Sequence, residues 1–136
     1  GLVAITPASG FVDVGGALII GIVAGLICPW ACYSLKKRLK YDDSLDVFGV
    51  HGIGGIIGSI LTGVFAKESI GGVSGLLEGN ANQLLAQIAG TGIVIAYAGI
   101  ITWIILKVTQ IAVGLRVHNK AEEEGIDLHL HGEAMQ

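Results

Sequence analysis

The chain has 136 residues, of which 52% are hydrophobic and only 14% charged, with 22 glycines, two cysteines and a formal net charge of -3. Soluble domains carry about a quarter charged residues, so this composition and a mean hydropathy of +0.73 exclude an ordinary soluble enzyme or binding module and indicate an integral membrane chain. The charges are segregated, with Lys36, Lys37, Arg38 and Lys40 in one cluster and an acidic group near the end, and nothing in that pattern points to a nucleic-acid partner.

The chain opens on Gly1-Leu-Val-Ala-Ile-Thr-Pro7, with no initiator methionine, basic leader or cleavage pattern, so it is not a signal peptide. It reads as the end of an apolar helix closed by Thr6-Pro7, and hence as a C-terminal piece of a larger protein. The first complete span is expected over residues 15–35. Gly21 and Gly25 offer a small-xxx-small contact face, and Pro29 is expected to kink the helix because its ring removes a backbone hydrogen bond. Cys28 and Cys32 lie in this span at i, i+4 spacing. Without further ligands they read as packing residues, not as a zinc site or a disulfide.

A second span is expected over residues 46–66 and a third over residues 84–113, separated by a polar, glycine-rich loop at residues 67–83. The third is longer than a bilayer requires, and Gly114 is its natural stop. Trp30, Tyr33, Tyr97 and Trp103 read as span or interface aromatics. Four cationic residues after the first span place that loop in the cytoplasm. The loop with Glu68, Glu78 and Asn80 is then external, and residues 115–136 form a cytoplasmic tail. The expected architecture is an all-α polytopic bundle, with a transmembrane region over residues 1–114 followed by that tail.

The second span carries the most informative residue. Residues 47–66 contain no Lys, Arg, Asp or Glu, yet they hold His51 within Asp46-Val-Phe-Gly-Val-His-Gly-Ile-Gly-Gly55. An ionisable group inside a span is a functional-site hypothesis by default. At about 100° per residue, Val50, Ile53, Ile57, Ile60, Leu61 and Val64 share one sector. Val47, Phe48, His51, Gly55, Gly58, Ser59 and Thr62 lie opposite, where a backbone can approach closely or a channel can pass. The competing reading is a histidine that only ties neighbouring helices together.

Asp46 is five residues from His51, roughly 140° around a regular helix, so the two do not form a dyad. An acid at a helix start is expected to cap free N–H groups. In the tail, His129 and His131 could donate to a metal, but with Glu122, Glu123 and Glu124 nearby they fit a solvated acidic segment better.

Three stretches together resemble the ammonium transporters of the Amt/Rh family in their bacterial or archaeal Amt form. They are Gly1-Leu-Val-Ala-Ile-Thr-Pro-Ala-Ser-Gly10 with Gly15-Gly-Ala-Leu-Ile-Ile-Gly21, the His51 motif, and Val113-Gly-Leu-Arg-Val117 with Glu124-Gly125-Ile126-Asp127 and His131-Gly132-Glu133. The resemblance implies an eleven-helix protomer of two inverted repeats in a homotrimer with one pore per subunit. This chain would supply the end of the eighth helix and the ninth to eleventh. It further implies that His51 is the second of a pore histidine pair, that Val47 lines the pore one turn earlier, and that Asp46 is the aspartate at the helix start. The tail, with Gly125, Asp127 and Gly132, would be the region engaged by a PII-type signal protein, and the setting the cell's inner membrane.

Carrying ammonium as a naked ion through hydrocarbon is prohibitive. Recruitment followed by deprotonation lets neutral ammonia cross an apolar lumen, and a neutral imidazole offers it one donor and one acceptor. No cofactor or metal is needed, and no enzymatic step. With the helix starting at Asp46, His51 would lie only about 8 Å from that end, so it reaches mid-membrane only if the helix starts below the surface. The alternatives are a membrane-embedded hydrolase using His51 with Asp46, or a structural anchoring subunit.

Overall fold

A computed structural model describes residues 1–117, 119–126 and 132, and all of the regular structure among them is helical. Three helical stretches are long and apolar enough to cross a membrane: Val14–Leu39, Phe48–Phe65 and Ala81–Ala112. The chain divides into two units, Gly1–Val94 and Ile95–Gln136.

In the first unit a short helix, α1 (Leu2–Ile5), runs into a tight turn at Thr6–Ala8. The Thr6 hydroxyl donates to the Leu2 carbonyl at 2.8 Å. The first long helix, α2 (Val14–Trp30), starts at Asp13, whose carboxylate accepts from the Gly16 N–H at 2.8 Å. Pro29 does not stop this helix. It is followed by a π-helical segment, Ala31–Leu35, and then by α3 (Lys36–Leu39), which ends at Lys40 in the left-handed conformation. A π turn beside a proline is one of the few ways a helix absorbs a missing backbone donor.

The second long stretch is also compound. Phe48–Ile53 is π-helical and α4 (Gly54–Phe65) is regular. The loop after it contains α5 (Glu68–Gly71) and a single turn at Leu76–Glu78. Asn80 then accepts from the Gln83 N–H through its side chain as α6 (Ala81–Ala112) begins.

The core of this unit is built from small residues. Ala4, Ala8, Ile20 and Ala24 are buried together, with Ile5, Val12, Cys28, Leu61 and Phe65 packed around them. Backbones therefore approach closely, as expected where lipid supplies no hydrophobic drive and packing decides association. On α2 the buried face runs through Gly16, Ile20 and Ala24. The expected contact face at Gly21 and Gly25 is not used within this chain, because neither has anything within 4 Å of its Cβ position. On the partner helix the buried positions are Gly54, Gly58, Thr62 and Gly63, and the Thr62 hydroxyl donates to the Gly58 carbonyl at 2.8 Å.

The start of α2 and the end of α4 are tied together. Lys67 donates its N–H to the Phe11 carbonyl at 2.8 Å, and its ammonium meets Asp13 at 2.7 Å. Lys67 holds the Asp13 carboxyl below the ordinary 3.8, with the Gly16 N–H second in effect. Asp13 in turn raises Lys67 above the ordinary 10.5. Asp13's contribution is present above its unfolded value and is lost as pH falls through the depressed folded value. That of Lys67 is present below its unfolded value and is lost as pH rises through the raised one. Both side chains are partly exposed, so the effect is modest and screened by salt. Asp13→Asn, which keeps the cap, is expected to lower the thermal midpoint of the complete protein slightly at pH 7 and low salt. The difference should vanish in acid below the folded value of Asp13. An undiminished difference there would mean that the ion pair is not what the substitution removes.

In the second unit, Gly114 adopts a φ of +81° just after α6, the left-handed conformation that favours glycine at a helix end. Arg116 grips Glu122 with two hydrogen bonds, Nε to Oε1 at 3.0 Å and Nη2 to Oε2 at 2.9 Å. Glu122 lies on α7 (Asn119–Glu124), and Gly125 follows with φ +97°.

Candidate functional site

The site is built around the start of the His51 helix. The two N–H groups there are capped by Asp43: Oδ1 accepts from Val47 at 2.9 Å and Oδ2 from Phe48 at 2.8 Å. These bonds, Phe48 first, hold the Asp43 carboxyl below its ordinary range. The cap expected of Asp46 thus belongs to a residue three positions earlier. Asp46 instead has φ +55°, a conformation that aspartate tolerates better than most residues, and its carboxylate takes Lys36 Nζ at 2.8 Å. The same ammonium donates to the Asp43 carbonyl. The physical reason is placement. A left-handed residue directs its side chain away from the N–H groups that follow, whereas Asp43 reaches them from across the turn. The sequence did carry a signal for this, since Asp42-Asp43-Ser44 supplies three good capping residues just upstream.

The Lys36 contact also sets the two helices side by side. Lys36 precedes the end of its own helix at Lys40, so the His51 helix begins beside the last turns of the preceding one, not beyond them.

The wide turn at Phe48–Ile53 alters the helical wheel. In a π turn each N–H reaches back five residues, so each residue advances by less than 100°. Gly49, Gly54, Gly58 and Thr62 form the packed face. The Cβ position of Gly54 lies 3.2 Å from Cys28 Sγ, and that of Gly58 collides with the Ala4 carbonyl. His51 and Gly55 are not on this face. His51 is exposed within this chain, and Gly55 has open space at its Cβ position. The grouping of His51, Gly55, Gly58 and Thr62 on one side therefore splits into an open pair and a packed pair.

His51 lines an open groove of about 410 Å³ with Leu2, Val3, Thr6 and Pro7. The wall is apolar apart from the threonine, whose hydroxyl is occupied by Leu2. Val47, one turn earlier, is half exposed. Asp46 is engaged by Lys36, so the histidine and aspartate are not assembled as an acid–base pair. Chemically, the groove offers one imidazole with a donor and an acceptor on an otherwise apolar surface. Of the tail residues, Gly125 and Gly132 are in positive-φ conformations, whereas Asp127, His129 and His131 lie outside the described residues.

A family model described as "Ammonium Transporter Family" matches residues 1–136, the whole chain. The chain belongs to the ammonium transporter family. Among curated relatives it is 50% identical over 133 residues to an ammonium transporter of Aquifex aeolicus, covering 98% of this chain and 31% of that protein. It is 46% identical over 134 residues to ammonium transporter Amt1 of Archaeoglobus fulgidus, covering 98% and 34%. The crystal structure of Candida albicans Mep2 superposes with a TM-score of 0.76 at 35% identity, over 86% of this chain and 27% of that one. Mep2 of Saccharomyces cerevisiae gives 0.76 at 36%, over 86% and 28%. The chain spans about a third of the length of these curated ammonium transporters. Within the ammonium transporter family, these relatives are named as transporters and not as enzymes.

Proposed function

We propose that this chain is the C-terminal portion of an ammonium transporter, and that His51 and Val47 line the path taken by the substrate. The observation that carries this reading is an ionisable ring on the open side of an uncharged apolar helix, next to a packed face that excludes it. In the complete protein the ring pairs with a second histidine supplied by the rest of the chain. Ammonium is recruited and deprotonated, and neutral ammonia passes along an apolar lumen in which imidazoles replace the hydrogen bonds of water. Neither ring presents a fixed negative charge, which leaves potassium and sodium without a substitute for their hydration. The protomer is an eleven-helix inverted repeat, three protomers form a trimer, and each carries a pore. It resides in the cell's inner membrane with the tail in the cytoplasm, where a PII-type signal protein engages the segment containing Gly125, Asp127 and Gly132. The transmembrane region comprises residues 1–114 and the tail residues 115–136.

The test is uptake of ammonium or methylammonium by the complete protein in proteoliposomes, set against protein-free vesicles and against potassium. Removing residues 119–136 from the same preparation should leave selectivity intact and abolish co-purification with a PII-type protein. Uptake no better than that of empty vesicles would refute the transport reading, and unchanged co-purification would refute the role of the tail.

A further inference from the structure

We propose that Gly49, seated on Cys32, is a positioning residue for His51: it holds the wide turn that carries the ring out of the packed face. The proposal rests on the reading of His51 as a path-lining residue. Two contacts fix the register. Cys28 faces Gly54 and Cys32 faces Gly49, so the thiols are four residues apart and their glycine partners five. In a regular α-helix a face repeats after three or four residues. A five-residue interval stays in line with a four-residue one only if the helix takes in one extra residue, as the π-helical segment Phe48–Ile53 does. His51 lies inside that widened interval.

Such a turn is rare and poorly favoured on its own, so contacts outside the helix must hold it. Asp43 holds its first N–H groups, and Gly49 holds its middle. Gly49 is buried, and a Cβ there would lie 2.5 Å from Cys32 Sγ, 3.0 Å from Cys32 N and 3.2 Å from Cys32 Cα. The facing segment, Ala31–Leu35, is itself π-helical, so one widened turn rests on another. A side chain at position 49 drives the two apart, and the ring two residues later moves with the backbone.

The experiment compares Gly49→Ala, Cys32→Ala, the double variant and His51→Ala in the complete transporter, with trimer yield, uptake and a structure of Gly49→Ala as readouts. Gly49→Ala should assemble, displace the His51 ring from its wild-type position and lower maximal uptake about tenfold or more, as misplacement of a functional group does. Cys32→Ala alone should transport normally. The double variant should recover much of the loss, because the shortest contact is to the sulfur and the remaining two require only a few tenths of an ångström. If Gly49→Ala does not assemble, Cys32→Val presses on the same contact from the other side and should give the same loss of uptake in assembled trimers. Wild-type uptake in Gly49→Ala with an unmoved ring, while His51→Ala is impaired, would overturn this inference alone. Wild-type uptake in His51→Ala would overturn the path-lining reading beneath it.

Discussion

Replacing His51 with alanine in the complete transporter is expected to lower ammonium uptake by about tenfold or more while leaving the yield of assembled protein unchanged. The fold should survive because His51 makes no part of the packed core: it is exposed within this chain and the core is carried by alanines, glycines and Ile20. If His51 lines the path, that path loses the donor and the acceptor that the imidazole supplies. Leaving a buried partner unsatisfied costs about 1–3 kcal/mol, and each 1.4 kcal/mol or so is a factor of ten in rate. His51→Glu should separate affinity from passage. A carboxylate attracts cations but must be desolvated or protonated in an apolar groove, so discrimination against potassium is expected to weaken. Wild-type rate and selectivity in both variants would return His51 to the structural reading.

The largest effect on folding is expected at Gly58. An alanine there would bring its Cβ to 2.8 Å from both C and Cα of Ala4 and into the Ala4 carbonyl oxygen. Both partners are backbone, so neither can turn aside as a flexible side chain would. Overpacking of this kind costs about 1–3 kcal/mol or more, and the contact joins α1 to α4 at the centre of the buried cluster. Gly58→Ala should therefore reduce the yield of assembled protein sharply and lower its thermal midpoint. Gly55→Ala is the control. It meets nothing within 4 Å, and exchanging glycine for alanine in a helix is favourable by about 0.5–1 kcal/mol, so yield should be equal or better. Equal loss in the two variants would mean that both glycines face packed backbone, as a regular wheel puts them.

The contrast between these two glycines locates the limit of the sequence reading. Long uncharged stretches between charged loops made the three apolar helices legible, because hydropathy over about 20 residues is a strong signal. The His51 motif and its companions made the family legible. The helix ends were less so. The first span runs on to Leu39 instead of residue 35 because a basic, solvated last turn adds no hydropathy yet remains helical. Within this chain α2 packs through Gly16, Ile20 and Ala24 and leaves Gly21 and Gly25 open, since glycine spacing marks where a backbone can approach and not which neighbour does. The cap falls to Asp43, while Asp46 has a left-handed backbone and its carboxylate is taken by Lys36, a partner ten residues away in sequence. Above all, a wheel at 100° per residue cannot show a π turn. The five-residue interval between Gly49 and Gly54, set against four between Cys28 and Cys32, is the one trace of it in the sequence, and its meaning depends on knowing that the two helices touch.

The most direct test of the central claim uses Val47, half exposed one turn before His51, in a background of Cys28→Ala and Cys32→Ala. Val47→Cys is treated with a small, water-soluble thiol reagent in reconstituted complete transporter, and ammonium uptake is measured before and after. Glu78→Cys, in the loop between the second and third long helices, serves as the labelled control. If Val47 and His51 line the path, modification of Val47→Cys should abolish uptake, ammonium should slow the modification, and modified Glu78→Cys should transport as before. Stoichiometric modification of Val47→Cys with uptake unchanged would contradict the account.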